Sequence, residues 1–109
     1  LIKIAVPILE KTFFVYTKGE EEPAKAKLRT LYGKNEKRDA QLDDNAGMCV
    51  GSVLFIGDNT INTLAHEVYH AMVGLAEYTG IDDEETTAYL IGYFMEKACK
   101  KLDIIWRTK

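Results

Sequence analysis

The sequence predicts an α+β domain. Short β-favouring runs at residues 2–9 and 13–16 open the chain, and another pair at 48–50 and 52–56 lies near its middle. Two long helical patterns, 61–78 and 84–101, fill most of the second half. At 109 residues the chain makes one domain, spanning 1–109, with room for a single modest core.

The elements follow in order. Within 2–9, Pro7 implies an edge position or an interruption, and Glu10-Lys11 suits a bend before the second strand. Glu20-Glu21-Glu22-Pro23 places acids and a proline in the first turn of a helix that runs to Tyr32. Ala24, Leu28 and Leu31 form its inner side, and Gly33 stops it. Residues 34–47 form the one long polar connection and predict a solvated surface loop. Gly51 divides the two middle strands as a turn or bulge. Asn59 or Thr60 caps the next helix, whose apolar stripe is Ile61, Leu64, Ala65, Val68, Met72 and Leu75. Gly80 ends it, and Asp82 or Asp83 caps the last helix. The tail 102–106 suits either a strand or a continuation of that helix. Phe13, Phe14, Tyr16, Phe55, Phe94 and Trp106 are expected in the core, with Tyr69 also packed.

Composition narrows the function. The net charge of -3, with no concentrated basic patch, gives no electrostatic reason to bind nucleic acid. No run of apolar residues is long enough to cross a membrane. Residues 1–9 lack the basic flank and small-residue cleavage site of a signal peptide. Cys49 and Cys99 are too few for a disulfide scaffold and fit buried thiols in a reducing, cytoplasmic setting.

The chemistry concentrates in His66-Glu67-Val68-Tyr69-His70. Residues four apart share one face of a helix, so both imidazoles can reach one ion at about 2.0–2.1 Å. Glu67, one position off, borders that ion and suits a general base taking a proton from metal-bound water. The chain holds only two histidines. Random placement would set two histidines four apart in roughly 2% of arrangements, and requiring the glutamate lowers this about tenfold. Zinc is therefore the expected cofactor, bound by His66 and His70.

A third ligand must be a carboxylate or a cysteine. Asp82, Asp83, Glu84 and Glu85 cluster at the start of the last helix, where a helical hairpin can return them to the histidines. Glu85 is favoured because Ala88 and Gly92, three and seven positions on, would let the two helices approach closely. Glu84 shares its face with Ile91 and Met95. Capping and favourable charge at a helix N-terminus account for some of these acids without any metal.

These segments resemble the zincin superfamily of HExxH metallopeptidases, on the side in which a glutamate of a following helix completes the two-histidine site. Glu85-Thr86-Thr87-Ala88-Tyr89 matches the pattern of a ligand glutamate followed three residues later by alanine. Residues 63–71 and 88–93 also look like segments of small uncharacterised zincins encoded by phages and prophages. The resemblance covers residues 54–95. It implies a minimal zincin-like fold: a small mixed sheet against an N-terminal helix and a two-helix metal-binding hairpin, with residues 52–56 as the edge strand lining the cleft. It further implies a zinc-dependent peptide hydrolase, with His66, His70 and Glu85 as ligands, Glu67 as base, and a peptide or protein as substrate. Tyr89 and Tyr93 are the nearest candidate oxyanion donors, although tyrosines there more often pack. A chain this short has no evident second lobe. The competing expectation is therefore a non-catalytic binding or phage assembly module on the same frame, with a structural or vestigial metal site.

Overall fold

The structure is a computed structural model that describes the backbone of residues 1–108 and, apart from Ile8 and residues 103–108, their side chains. It is an α+β fold. Strands β1 (Ile2–Val6), β2 (Lys11–Thr17), β3 (Gly47–Val50) and β4 (Val53–Ile56) form one mixed sheet in the order β1-β2-β4-β3. β1–β2 and β3–β4 pair antiparallel, whereas β2–β4 pair parallel, with Val15 opposite Leu54.

Helices cover both faces. Ile2, Ile4, Val6, Phe13, Val15, Leu54 and Ile56 pack against the buried stripes of α3 (Ile61–Thr79) and α4 (Glu84–Thr108). Tyr16, Val53 and Phe55 face Ala24 and Leu28 of α1 (Glu21–Tyr32) and Leu42 of α2 (Glu36–Asp44). β4 sends alternate residues into both cores and is buried along its whole length, as the period-two geometry of a strand between two helical layers requires.

Pro7 does interrupt: β1 stops at Val6, and Pro7–Leu9 form one 3₁₀ turn. Glu10 then takes a left-handed conformation (φ 49°), and β2 begins at Lys11, earlier than expected. Gly33 ends α1 with φ 83° and Gly80 ends α3 with φ 79°. The last helix absorbs the tail and runs to Thr108, while the expected burial of Trp106 lies outside the described residues.

Three expectations are corrected. The polar stretch 34–47 is not one loop, since α2 occupies most of it. Asn35 caps that helix by accepting from the Arg38 N–H at 3.0 Å. Lys25–Asp43 (2.7 Å) and Arg29–Asp39 (3.3 Å) tie it to α1. One buried leucine, Leu42, anchors it. A single buried apolar residue gives no 3.6-residue period to read, so the helix is built by a cap and ion pairs that sequence patterning does not register. Secondly, β4 is interior; the sheet edge beside α3 is β3. Thirdly, Leu31, Ile61, Ala65 and Tyr69 are exposed where packing was expected, and Phe14 is only partly buried, under the Lys27 ammonium at 3.9 Å. Among the described residues, no helix is long and apolar enough to cross a membrane.

Candidate metal centre

The site begins with how α3 is held. Thr60, rather than Asn59, is its N-cap: the hydroxyl accepts from the Thr63 N–H at 3.2 Å. Asp58 accepts from Thr60 N–H (3.1 Å) and from the Thr63 hydroxyl (2.7 Å), which holds its carboxyl below the usual range, chiefly through the Thr63 bond. At the other end, Ile81 N–H bonds Ala76 C=O at 2.8 Å around the left-handed Gly80. Leu64, Val68, Ala71, Met72 and Leu75 bury the inner stripe and fix the helix rotation.

That rotation sorts the motif. His66 and His70 lie on the exposed side, with their Nε2 atoms 3.2 Å apart and rings at 73°. Two ligands of a tetrahedral zinc, each at about 2.0–2.1 Å, stand about 3.3–3.4 Å apart. The pair therefore fits two of the four coordination positions. Glu67 turns inward and is 7% exposed. Burial pushes its carboxyl above the usual range, and charge on His66 and His70 draws it partly back.

β3 closes over this carboxylate. A methyl group at Gly47 would collide with the Thr63 methyl and lie 3.0 Å from Glu67 Oε2. Glycine is thus what lets the edge strand approach α3 so closely. Gly47→Ala is expected to lower stability by about 1–3 kcal/mol, the usual cost of overpacking, and to shift Glu67; urea unfolding checks the first effect. Cys49, two residues along β3, has its thiol pushed up to about 12 by burial and then by the Glu67 charge, so it stays protonated at neutral pH.

A depression lies on either side of the histidines. Beyond His66 and Glu67, Asn45, Ala46, Gly47, Asn62 and Thr63 line a polar hollow of about 340 Å³. Beyond His70, a groove of about 660 Å³ is lined mainly by apolar groups, among them Phe13, Cys49, Ala71, Leu75 and Tyr78. The first follows α3 and β3, whereas the second runs from α3 past Cys49 and Gly51 to Lys11, Phe13 and Tyr32, so the motif lies between two separate depressions.

The expected third ligand is not brought to this centre. Glu85 is exposed in the first turn of α4 and lines a separate depression with Ala88, Tyr89, Gly92, Tyr93 and Glu96. Ala88 and Gly92 are exposed and do not sit at the helix–helix contact; a Cβ at Gly92 would meet nothing within 4 Å. α4 instead presents Leu90, Ile91, Phe94, Met95 and Ala98 to the core. Large side chains set its rotation, overriding the small-residue face that favoured Glu85. Glu84, Asp82 and Asp83 are exposed too, and Asp83 caps α4, accepting from Thr86 Oγ1 at 2.5 Å and Glu85 N–H at 3.2 Å. Among the described residues, no three His, Cys, Asp or Glu side chains are gathered to hold one ion. Tyr93 donates to the Ala5 carbonyl at 3.1 Å and is committed to packing, while Tyr89 is exposed.

The contribution of Gly47, Thr63, Asn62 and Cys49 was not legible in advance, because it depends on which strand forms the sheet edge. Set against protein-family models, curated proteins and solved structures, the chain matches none.

Proposed function

We propose that the protein is a zinc-dependent peptide hydrolase of the zincin type, working in the cleft between α3 and the edge strand β3. The observation that carries this reading is the convergence of two imidazole Nε2 atoms at 3.2 Å beside a buried carboxylate that has no hydrogen-bond partner among the described residues. A purely structural zinc has no use for such a carboxylate.

Zinc, when bound, supplies Lewis acidity: it lowers the pKa of a bound water and polarises a carbonyl. His66 and His70 hold it through Nε2. Glu67 accepts a proton from the attacking water and returns it to the leaving nitrogen, and the burial that raises its pKa makes it a stronger base than a solvated carboxylate. The outer edge of β3 offers backbone N–H and C=O groups to an extended peptide, which adds as a further strand across the motif. Gly47 and β3 hold Glu67 in place and limit water around it. The motif resemblance names Glu85 as third ligand, but here it lines a separate depression away from the two imidazoles, so the ligands that the proposal rests on are His66 and His70. The two free cysteines suit a reducing, cytoplasmic setting, and the proposal involves neither nucleic acid nor membrane.

Zinc titration against a chromophoric chelator tests the ligand set. The wild type should take up one equivalent, and His66→Ala or His70→Ala should weaken binding by at least about 100-fold, each having lost one ligand. A loss of about 10-fold or more in Glu85→Ala would identify it as third ligand; an unchanged affinity would remove it from the site. Tight binding in both histidine variants would contradict the proposal. The dispersed acids favour one alternative, a non-catalytic binding or assembly module on the same frame, with a structural or vestigial metal. That reading predicts zinc uptake without hydrolysis.

A further inference from the structure

Gly74 sits in the middle of α3, where glycine costs about 1 kcal/mol relative to alanine. Neither of the usual reasons for a glycine applies. Its φ is not among the positive ones, and a Cβ there would meet nothing within 4 Å. Its position supplies the reason. It lies one turn beyond His70 on the same helix face and lines the 660 Å³ groove with Phe13, Ala71, Leu75 and Tyr78. Any side chain at residue 74 would stand in that groove.

The two depressions beside the motif also differ. The one beyond His66 is polar and about half as large, whereas the one beyond His70 is mainly apolar and carries an aromatic side chain, Tyr78, that is 89% exposed. An open, mainly apolar groove whose exposed aromatic residues are Tyr32 and Tyr78, with Lys11 also in its lining, suits a large apolar guest, best an aromatic one.

We infer that this groove is the specificity pocket beside the motif, taking a large aromatic side chain of the substrate, and that Gly74 is the residue that keeps it open. The inference rests on the hydrolase reading for its biological meaning, but the pocket can be probed separately.

Two measurements separate them. In the first, zinc-loaded protein is given matched peptides differing only by Phe or Ala at each position. Cleavage should favour Phe at one fixed distance from the broken bond, and the Phe/Ala ratio of kcat/KM should fall at least about 10-fold in Gly74→Leu, with a smaller fall in Gly74→Ala. Both substitutions raise helix propensity, so folding is expected to hold. In the second, metal-free protein is titrated with N-acetyl-phenylalaninamide or N-acetyl-alaninamide while backbone amide resonances are followed. The phenylalanine compound alone should shift residues 71–78, and Gly74→Leu should abolish the shift. Binding without any hydrolysis would sink the hydrolase reading and leave the pocket standing. Hydrolysis with no Phe preference, a ratio unchanged in Gly74→Leu, or the absence of a phenylalanine-specific shift would overturn the pocket.

Discussion

Glu67→Gln is expected to lower peptide hydrolysis by about 10²–10⁴-fold while leaving zinc affinity within a few-fold of the wild type. Glutamine keeps the shape and the fit beneath Gly47 but cannot accept the water proton. On the proposed mechanism Glu67 borders the ion without ligating it, so the metal should stay. The same substitution should stabilise the metal-free protein at neutral pH. Burial raises the carboxyl pKa in the folded state above its unfolded value, so the folded protein holds the proton more tightly. That contribution to stability is complete below the unfolded pKa and is lost as pH rises through the folded one. The variant should therefore melt a few degrees above the wild type at pH 7.5 in a chelator, with the gap closing toward pH 4, near the ordinary carboxylate value of about 4.3. Hydrolysis at wild-type rates in Glu67→Gln would remove the general base from the mechanism. A melting gap that widened toward acid would show that the buried carboxylate is not destabilising.

Phe94→Ala carries the largest expected cost to stability. The ring is fully buried and meets Phe13 edge-on, with centroids 5.4 Å apart at 81°. It joins α4 to the sheet within the same core that fixes α3 and the histidines. Truncation should cost about 3–5 kcal/mol, a large share of the roughly 5–15 kcal/mol available to a small domain. Urea unfolding should show the loss as a lower midpoint with a preserved slope. A cycle of Phe13→Leu and Phe94→Leu should be non-additive by about 0.5–1.5 kcal/mol, the contribution of the aromatic pair beyond its buried area. Additive effects would mean that the two rings are neighbours without being partners.

These two residues also mark what the sequence made legible. Phe94 and Glu67 were both readable, one from the helical period of 84–101 and one from the five-residue motif, because each signal is local. The α3–α4 hairpin, with glycine and acids at its turn, followed from the same kind of signal. What failed was relational. Nothing local says that β3 rather than β4 forms the edge, since that depends on β4 pairing with β2, each residue with a partner 39 positions away. Glu85 was favoured on the assumption that Ala88 and Gly92 face the neighbouring helix. The rotation of α4 is decided by Phe94, Ala98 and Leu102, whose burial turns the small residues outward. Residues 36–44 hid a helix because its stability comes from Asn35 and from ion pairs to α1, which leave no apolar period.

The most direct test of the central claim is an anomalous diffraction map at the zinc edge from crystals grown with one equivalent of zinc. The account predicts one peak within bonding distance, about 2.0–2.1 Å, of Nε2 on both His66 and His70, in the cleft beside Glu67 and Gly47, and the same map names the remaining protein ligand. A peak elsewhere, or histidine rings turned to different surfaces with no peak between them, would contradict it.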